Sequence, residues 1–183
     1  MTADPLTLWT IGHSTRPIEE FIGLLNAHGI RQLIDVRTIP KSRYNPHFNT
    51  DVLAQSLAAA GIGYRHAVAL GGLRKPRKDS TNAGWRNESF RGYADYMQSE
   101  EFWKALDALT AESRDLRTAI MCAEAVPWRC HRSLIADALL IRGWDVRHIM
   151  SGAKADAHRL TSFAKSEQGM LSYPAPDTTA LLF

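Results

Sequence analysis

Hydrophobic and polar positions along the chain follow a pattern that predicts strands alternating with helices. The run LTLWTI (6–11) is short, apolar and rich in β-favouring residues, and Gly12 ends it. Apolar residues then recur at helical spacing as far as His28, with Pro17 in the first turn and Gly29 as the stop. The chain therefore begins with a predicted strand and helix.

The same reading predicts four further strands and four further helices. The predicted strands are 32–36, 64–70, 117–122 and 145–150, and the predicted helices are 51–60, 93–112, 131–142 and 155–166. This alternation predicts one α/β domain over residues 1–183, with a mostly parallel central sheet between two layers of helices. The proline-containing tail, about 167–183, is expected to be loosely attached.

Polar clusters follow several predicted strands at their carboxyl ends. The clusters are Gly12–Ser14, Asp35–Arg37, Gly71–Gly72 and Cys122–Glu124. Ligands of open parallel sheets bind beyond the carboxyl ends of the strands. The topology therefore predicts that these clusters gather at one edge of the sheet.

Length and composition favour a single cytoplasmic domain. The 183 residues are 45% hydrophobic and 22% charged, and no stretch approaches the roughly 20 apolar residues that span a bilayer. The first residues lack the basic start and long apolar centre of a secretion signal. Cys122 and Cys130 are the only cysteines. We expect both to be reduced, since one pair is not the disulfide framework of small secreted domains.

Most of the positive charge lies in one segment. Residues 73–91 hold six basic and two acidic residues, a local charge of +4, whereas the whole chain carries +3. This segment is long for a loop and contains aromatic residues, which favours a lid over the site or a nucleic-acid contact. A basic loop that is merely solvated, with its tryptophan packed against the core, is the alternative. The predicted lid or nucleic-acid contacts are Arg74, Lys75, Trp85, Arg86 and Arg91.

Six short motifs, followed by His148-Ile149, occur in a fixed order. They are Gly12-His13-Ser14, Asp35-Val36-Arg37, Pro40-Lys41-Ser42-Arg43, Leu70-Gly71-Gly72, Cys122-Ala123-Glu124 and Cys130-His131-Arg132. Together they resemble the bacterial domain-of-unknown-function family number 488, over roughly residues 8–160. The resemblance implies an α/β domain of this size and supplies no established reaction.

The two cysteines have three interpretations. Cys122 ends an apolar strand, where it is either a small buried side chain or a thiolate nucleophile activated by the following helix. Rhodaneses and protein tyrosine phosphatases place five residues between such a cysteine and an arginine, whereas six separate Cys122 from Arg129. Cys122, Cys130 and His131, joined by His13 or His66, could also bind zinc, but their spacing is not that of a standard zinc finger or ribbon. We therefore predict no metal and no cofactor.

The start of the 131–142 helix suits an anion. Free backbone amides and the helix dipole attract phosphate, sulfate or carboxylate groups, although Cys130 could serve only as a cap. The predicted anion- or substrate-binding residues are Ser14, Arg37, Arg43, Cys130, His131 and Arg132.

Acid–base groups stand near the same strand ends. We predict Glu124 or Asp35 as the general base and His13 as a proton carrier, with Cys122 as a further catalytic candidate. A solvated salt bridge between Asp35 and an arginine is the alternative interpretation.

Three functional hypotheses follow. The first is an enzyme acting on a small phosphorylated or nucleotide-like substrate, the second is a nucleic-acid binding or processing module, and the third is a ligand-binding domain without catalysis. The partner expected in the first case is a small anionic ligand, and no membrane partner is expected. The residues do not decide between the hypotheses and predict no oligomeric state.

Overall fold

The computed structural model describes residues 6–177. The strands are β1 (Thr7–Gly12), β2 (Gln32–Asp35), β3 (Gly63–His66), β4 (Thr118–Cys122), β5 (Asp145–Ile149), β6 (Ala155–Ala157), β7 (Lys165–Glu167) and β8 (Met170–Ser172). The helices are α1 (Ile18–Ala27), α2 (Thr50–Ala59), α3 (Glu88–Tyr96), α4 (Glu100–Glu112) and α5 (Arg132–Ile141).

Six strands form the central sheet in the order β3-β2-β4-β1-β5-β6. The first five are parallel to their neighbours, and β6 runs antiparallel to β5 at one edge. Strands β1 and β4 lie near the centre and are almost entirely buried, as expected for parallel strands covered on both faces. The predicted α/β class and mostly parallel sheet are confirmed.

Helices cover both faces of the sheet. Phe21 and Leu25 of α1 and Leu53 of α2 pack in one apolar cluster on one side. Residues of α3, α4 and α5, such as Phe102 and Leu134, belong to a second cluster. The result is a single compact domain of three layers.

This topology creates a crevice where β1, β2 and β4 end. The chain leaves β1 and β2 through helices on one face and leaves β4 through α5 on the other. Neighbouring strands whose helices depart to opposite faces leave a gap at their carboxyl ends, where ligands bind in open α/β sheets.

The predicted helix 93–112 is two helices. Asn87 caps α3 by accepting the amide hydrogens of Ser89 and Phe90, so the helix begins earlier than predicted. Ser99 then caps α4 by accepting the amide hydrogen of Phe102. The helical spacing of apolar residues is nearly continuous from α3 into α4, so the sequence pattern did not reveal the helix start at Ser99.

The C-terminal part also departs from the prediction. The helix predicted over 155–166 is wrong, because Ala155–Ala157 instead pairs with β5 as an edge strand. Strands β7 and β8 form a separate hairpin. Within the predicted tail, Leu171 and Tyr173 are buried against the second cluster, and residues 178–183 lie outside the described part of the chain.

Strand β3 is shorter than predicted. The strand predicted over 64–70 ends at His66, and a 3₁₀ turn, Val68–Leu70, takes its place. None of the helices in residues 6–177 has the length and apolar character needed to cross a bilayer.

Candidate functional site

A cavity of about 500 Å³ opens at the carboxyl edge of the sheet. Strand β1 contributes His13 just after its end, β2 contributes Arg37, and β4 contributes Cys122. The other polar or ionisable side chains of the lining are Thr38, Lys41, Ser42, Asn87, Ser89, Tyr93, Glu124, Arg129, Cys130 and His131. The cavity volume suits a small molecule.

His13 and Arg37 form one buried unit. The Nδ1 of His13 lies 2.7 Å from the carbonyl oxygen of Ser14 and must donate to it, which leaves Nε2 to accept from Nη1 of Arg37 at 3.3 Å. The ring also stacks on Phe48, with centroids 4.2 Å apart. Burial is the main cause that lowers the pKa of His13 to about 4, so the ring is neutral at pH 7.

Asp35 holds Arg37 in place. Its carboxylate accepts hydrogen bonds from the backbone amide, Nε and Nη2 of Arg37 and from the Tyr64 hydroxyl, at 2.6–3.1 Å. Asp35 is fully buried and does not line the cavity. Arg37 donates further to Phe48, which leaves one Nη1 hydrogen without a partner among residues 6–177.

The turn after β4 sits directly on Gly12. A Cβ added at Gly12 would lie 1.8 Å from the carbonyl oxygen of Glu124, so only glycine allows this close approach. The amides of His13 and Ser14 donate to the carbonyl oxygens of Cys122 and Ala123. These contacts fix the backbone that presents the Glu124 side chain, which is exposed and makes no hydrogen bond or ion pair in the described chain.

The two cysteines lie next to each other in the cavity wall, with their Cα atoms 7.6 Å apart, farther than the roughly 7 Å that a disulfide spans. Both line the cavity and are otherwise buried, with exposed fractions of 3% for Cys122 and 5% for Cys130. The expectation of two reduced thiols stays a prediction. Their proximity follows from the fold, because the loop 123–129 brings the start of α5 back to the end of β4.

His131 is fixed beside Cys130. Its Nε2 donates to the carbonyl oxygen of Val36 at 2.8 Å, and its Nδ1 lies 3.6 Å from the Cys130 sulfur. Burial is the main cause that lowers the pKa of His131 to about 4. The cavity therefore holds two neutral imidazoles at pH 7.

Arg132 lies behind the cavity rather than in it. Its side chain is 1% exposed, and its Nη2 donates to the carbonyl oxygen of Glu124 at 2.7 Å. Nη1 donates to the Thr10 hydroxyl at 3.3 Å, and the buried Nε has no partner in the described chain. Burial lowers the pKa of Arg132 to about 10, which leaves it charged at pH 7.

A buried polar chain continues from Thr10, away from the cavity. His148 Nδ1 lies 2.7 Å from the Thr10 hydroxyl, and its Nε2 lies 2.9 Å from His158 Nδ1. His158 Nε2 in turn lies 2.7 Å from the Asp137 carboxylate. With the Thr10 hydroxyl donating to His148 Nδ1, the Nε2 hydrogen of His148 is donated to His158, and that of His158 to Asp137. Every polar side chain in the series then has a hydrogen-bond partner.

Part of the basic segment 73–91 packs against the rest of the domain, whereas Lys75, Arg77, Lys78 and Arg86 are exposed. Asp95 of α3 accepts hydrogen bonds from the Arg77 amide, the Ser80 hydroxyl and the Asn82 side chain. Trp85 lies against Phe90, Phe163 and Tyr173 in an aromatic cluster.

The structure gathers some predicted site residues and leaves others apart. Those that line the cavity are His13, Arg37, Cys122, Glu124, Cys130 and His131. Those that do not are Ser14, Asp35, Arg43, Arg132, Arg74, Lys75, Trp85, Arg86 and Arg91. Arg74 lies over the Tyr96 ring at 3.6 Å, and the Arg43 side chain is exposed outside the lining.

Several lining residues were not among the predicted site residues. Lys41 and Ser42 follow β2 in the polar loop, Asn87 and Ser89 begin α3, and Arg129 precedes Cys130. Lys41 could have been predicted as a lining residue, because it lies in the loop that follows β2. Asn87 and Ser89 lie in the segment 73–91 that was predicted as a lid, but their individual positions in the lining depend on how α3 packs on the sheet.

The family model of the domain of unknown function DUF488 matches residues 17–139. The match covers more than half of the chain. The chain belongs to the DUF488 family. The model spans all the residues that line the cavity except His13, and it stops before His148 and His158 of the buried polar chain.

Other comparisons add no function to this DUF488 domain. No curated protein and no solved structure matches it significantly. Across residues 6–177, no group of three or more histidine, cysteine, aspartate or glutamate side chains is arranged to hold a metal ion.

Proposed function

We propose that this DUF488 domain is an enzyme that acts on a small anionic substrate, phosphorylated or nucleotide-like, in the cavity at the carboxyl edge of the sheet. The observation that carries the proposal is the convergence of Arg37, Lys41 and Arg129 on that cavity, against Glu124 as its one lining acid.

The cations supply different kinds of contact. Arg37 is neutralised by Asp35 and immobile, so it contributes one oriented N–H donor rather than net charge. Lys41 and Arg129 have exposed side chains and make no ion pair within residues 6–177, which leaves them available for an anionic group. Ser42, Asn87 and Ser89 add uncharged donors that suit phosphate oxygens.

Glu124 is the side chain suited to proton transfer. It lines the cavity on a fixed turn, and its carboxylate is free to accept or donate a proton. Asp35 accepts four hydrogen bonds from Arg37 and Tyr64, so we assign it a positioning role. His13 and His131 are held neutral and serve as hydrogen-bonding groups of the cavity wall.

The nucleic-acid hypothesis has less support. Base stacking requires an accessible aromatic face. Trp85 packs between Phe90 and Phe163, and Arg74 is occupied by Tyr96 and the carbonyl oxygen of Gly71. The hypothesis remains a prediction whose signature is oligonucleotide binding that weakens steeply with salt.

Calorimetric titration with inorganic pyrophosphate tests the anion site. Lys41→Gln removes one charge from the cavity rim, and we expect it to weaken binding about fivefold, with a larger loss for the double variant that adds Arg129→Gln. Lys104→Gln is the matched control, because Lys104 is an exposed lysine of α4 outside the cavity. Equal affinity of the double variant and the wild-type protein would contradict the proposal.

A further inference from the structure

The Cys122–Cys130 pair is open to reagents from one side only. Both residues line the cavity, and each is otherwise almost entirely buried. A protein thiol therefore cannot approach them easily, whereas a small molecule in the cavity can. Any partner in thiol chemistry must fit the cavity of about 500 Å³.

The two sulfurs have unequal surroundings. Cys130 precedes α5, and its sulfur accepts the backbone hydrogen of Arg132, the first residue of this ten-residue helix, at 3.4 Å. The positive end of the helix dipole favours a thiolate at this place. Cys122 ends the buried strand β4, where apolar surroundings favour the neutral thiol.

The Arg132 guanidinium adds a second source of positive potential. It is 1% exposed and keeps a buried Nε without a partner in residues 6–177, and the nearby Glu124 carboxylate favours its charged form. A cation in the first turn of α5, two residues after Cys130, favours negative charge at this end of the helix, and the Glu124 carboxylate offsets part of that effect. The reduced pair would thus hold one thiolate, on Cys130, and one thiol, on Cys122.

We propose that Cys122 and Cys130 are a redox-active pair that exchanges with small anionic organic disulfides bound in the cavity. The Cys130 thiolate attacks one sulfur of the bound disulfide, forms a mixed disulfide and releases one thiolate of the partner. Cys122 then loses its proton to solvent, attacks the Cys130 sulfur and expels the second partner thiolate. The pair loses two electrons, and the small disulfide gains them; small thiols drive the reverse reaction.

The choice of an anionic disulfide rests on the proposed function, because it uses the charges of Lys41 and Arg129 at the same cavity. The reaction also closes the loop that carries Glu124 and Arg129. Oxidation therefore ties together the two segments that frame the anion site.

The test uses the reduced, desalted protein and three small disulfides of similar size. These are 3,3′-dithiodipropionate, which is anionic, bis(2-hydroxyethyl) disulfide, which is neutral, and cystamine, which is cationic. Acid quenching, alkylation and intact-mass measurement give the rate at which the thiols disappear. We expect the anionic reagent to react about tenfold faster than cystamine and to leave the Cys122–Cys130 disulfide.

Variants separate the steps. Cys122→Ser should stop at a mixed disulfide on Cys130, and Cys130→Ser should lose the fast reaction. Lys41→Gln should reduce the charge preference, whereas Lys104→Gln should leave it unchanged. Peptide mapping of early wild-type samples identifies the first cysteine modified and does not depend on the folding of any variant.

Three results would overturn the proposal: first modification at Cys122, equal rates for the three reagents, or faster oxidation by hydrogen peroxide than by every disulfide. Equal rates with pyrophosphate binding retained would remove the redox proposal and leave the anion site standing. Equal rates without pyrophosphate binding would remove both.

Discussion

Replacing Asp137 by alanine is expected to lower the free energy of unfolding by about 3–5 kcal/mol. Asp137 is fully buried on α5, and its carboxylate accepts hydrogen bonds from His158, from the amide and hydroxyl of Thr161, and from the Tyr173 hydroxyl. Alanine would leave all four donors without this acceptor inside the protein. Chemical unfolding followed by circular dichroism measures the change.

The matched control is Asp79→Ala, because Asp79 is exposed and only loosely paired with Arg77 at 3.5 Å. That variant is expected to unfold at the wild-type denaturant concentration. A loss below about 1 kcal/mol for Asp137→Ala would show that the network His148–His158–Asp137 contributes little to the fold.

The second large effect concerns catalysis. Glu124→Gln is expected to lower turnover by about 10²- to 10⁴-fold without weakening pyrophosphate binding, because the amide keeps the shape of the side chain and removes a negative charge from the cavity but cannot exchange a proton. Phosphate release from a panel of phosphate monoesters and nucleotides, measured with wild-type protein and variant, provides the readout. Glu19→Gln is the control, since Glu19 is an exposed glutamate of α1 outside the cavity.

The two readouts distinguish the remaining hypotheses. Full turnover by Glu124→Gln would remove this residue from the mechanism. Pyrophosphate binding without turnover of any ester by the wild-type protein would favour the ligand-binding domain without catalysis.

The fold could largely be read from the sequence because its central elements are strongly patterned. Buried parallel strands such as β4 are continuous apolar runs, and Gly29, Gly61 and Gly143 end their helices with positive φ angles of 66–84°. The region after β5 lacks this patterning. Ala155–Ala157 becomes a strand because β5 offers it a free edge, which no local signal reveals.

The site could be predicted in outline. Placing polar residues after strand ends identified His13, Arg37, Cys122 and Glu124 as neighbours, since parallel strands share one carboxyl edge. The direction of each side chain was not predictable. The Arg132 side chain points inward and donates to the Glu124 carbonyl oxygen, and the Asp35 carboxylate is covered by Arg37. Neither residue lines the cavity, although each belongs to one of the sequence motifs.

The central claim is that small anions bind at the carboxyl edge of the sheet, and the protein contains its own control for this claim. A second depression, of about 440 Å³, lies at the opposite edge, and its charged lining residues are Arg114, Arg117, Arg147, Asp115 and Asp145. Simple attraction between an anion and exposed arginines would give binding at that surface as well. Specific binding in the cavity would place the anion only at the carboxyl edge, beside Lys41 and Arg129.

Amide chemical-shift mapping during a pyrophosphate titration separates the two edges in one experiment. We expect saturable shifts for residues 37–42 and 122–131, with those of 114–117 and 145–147 unchanged. Shifts confined to 114–117 and 145–147, or absent throughout, would contradict the account.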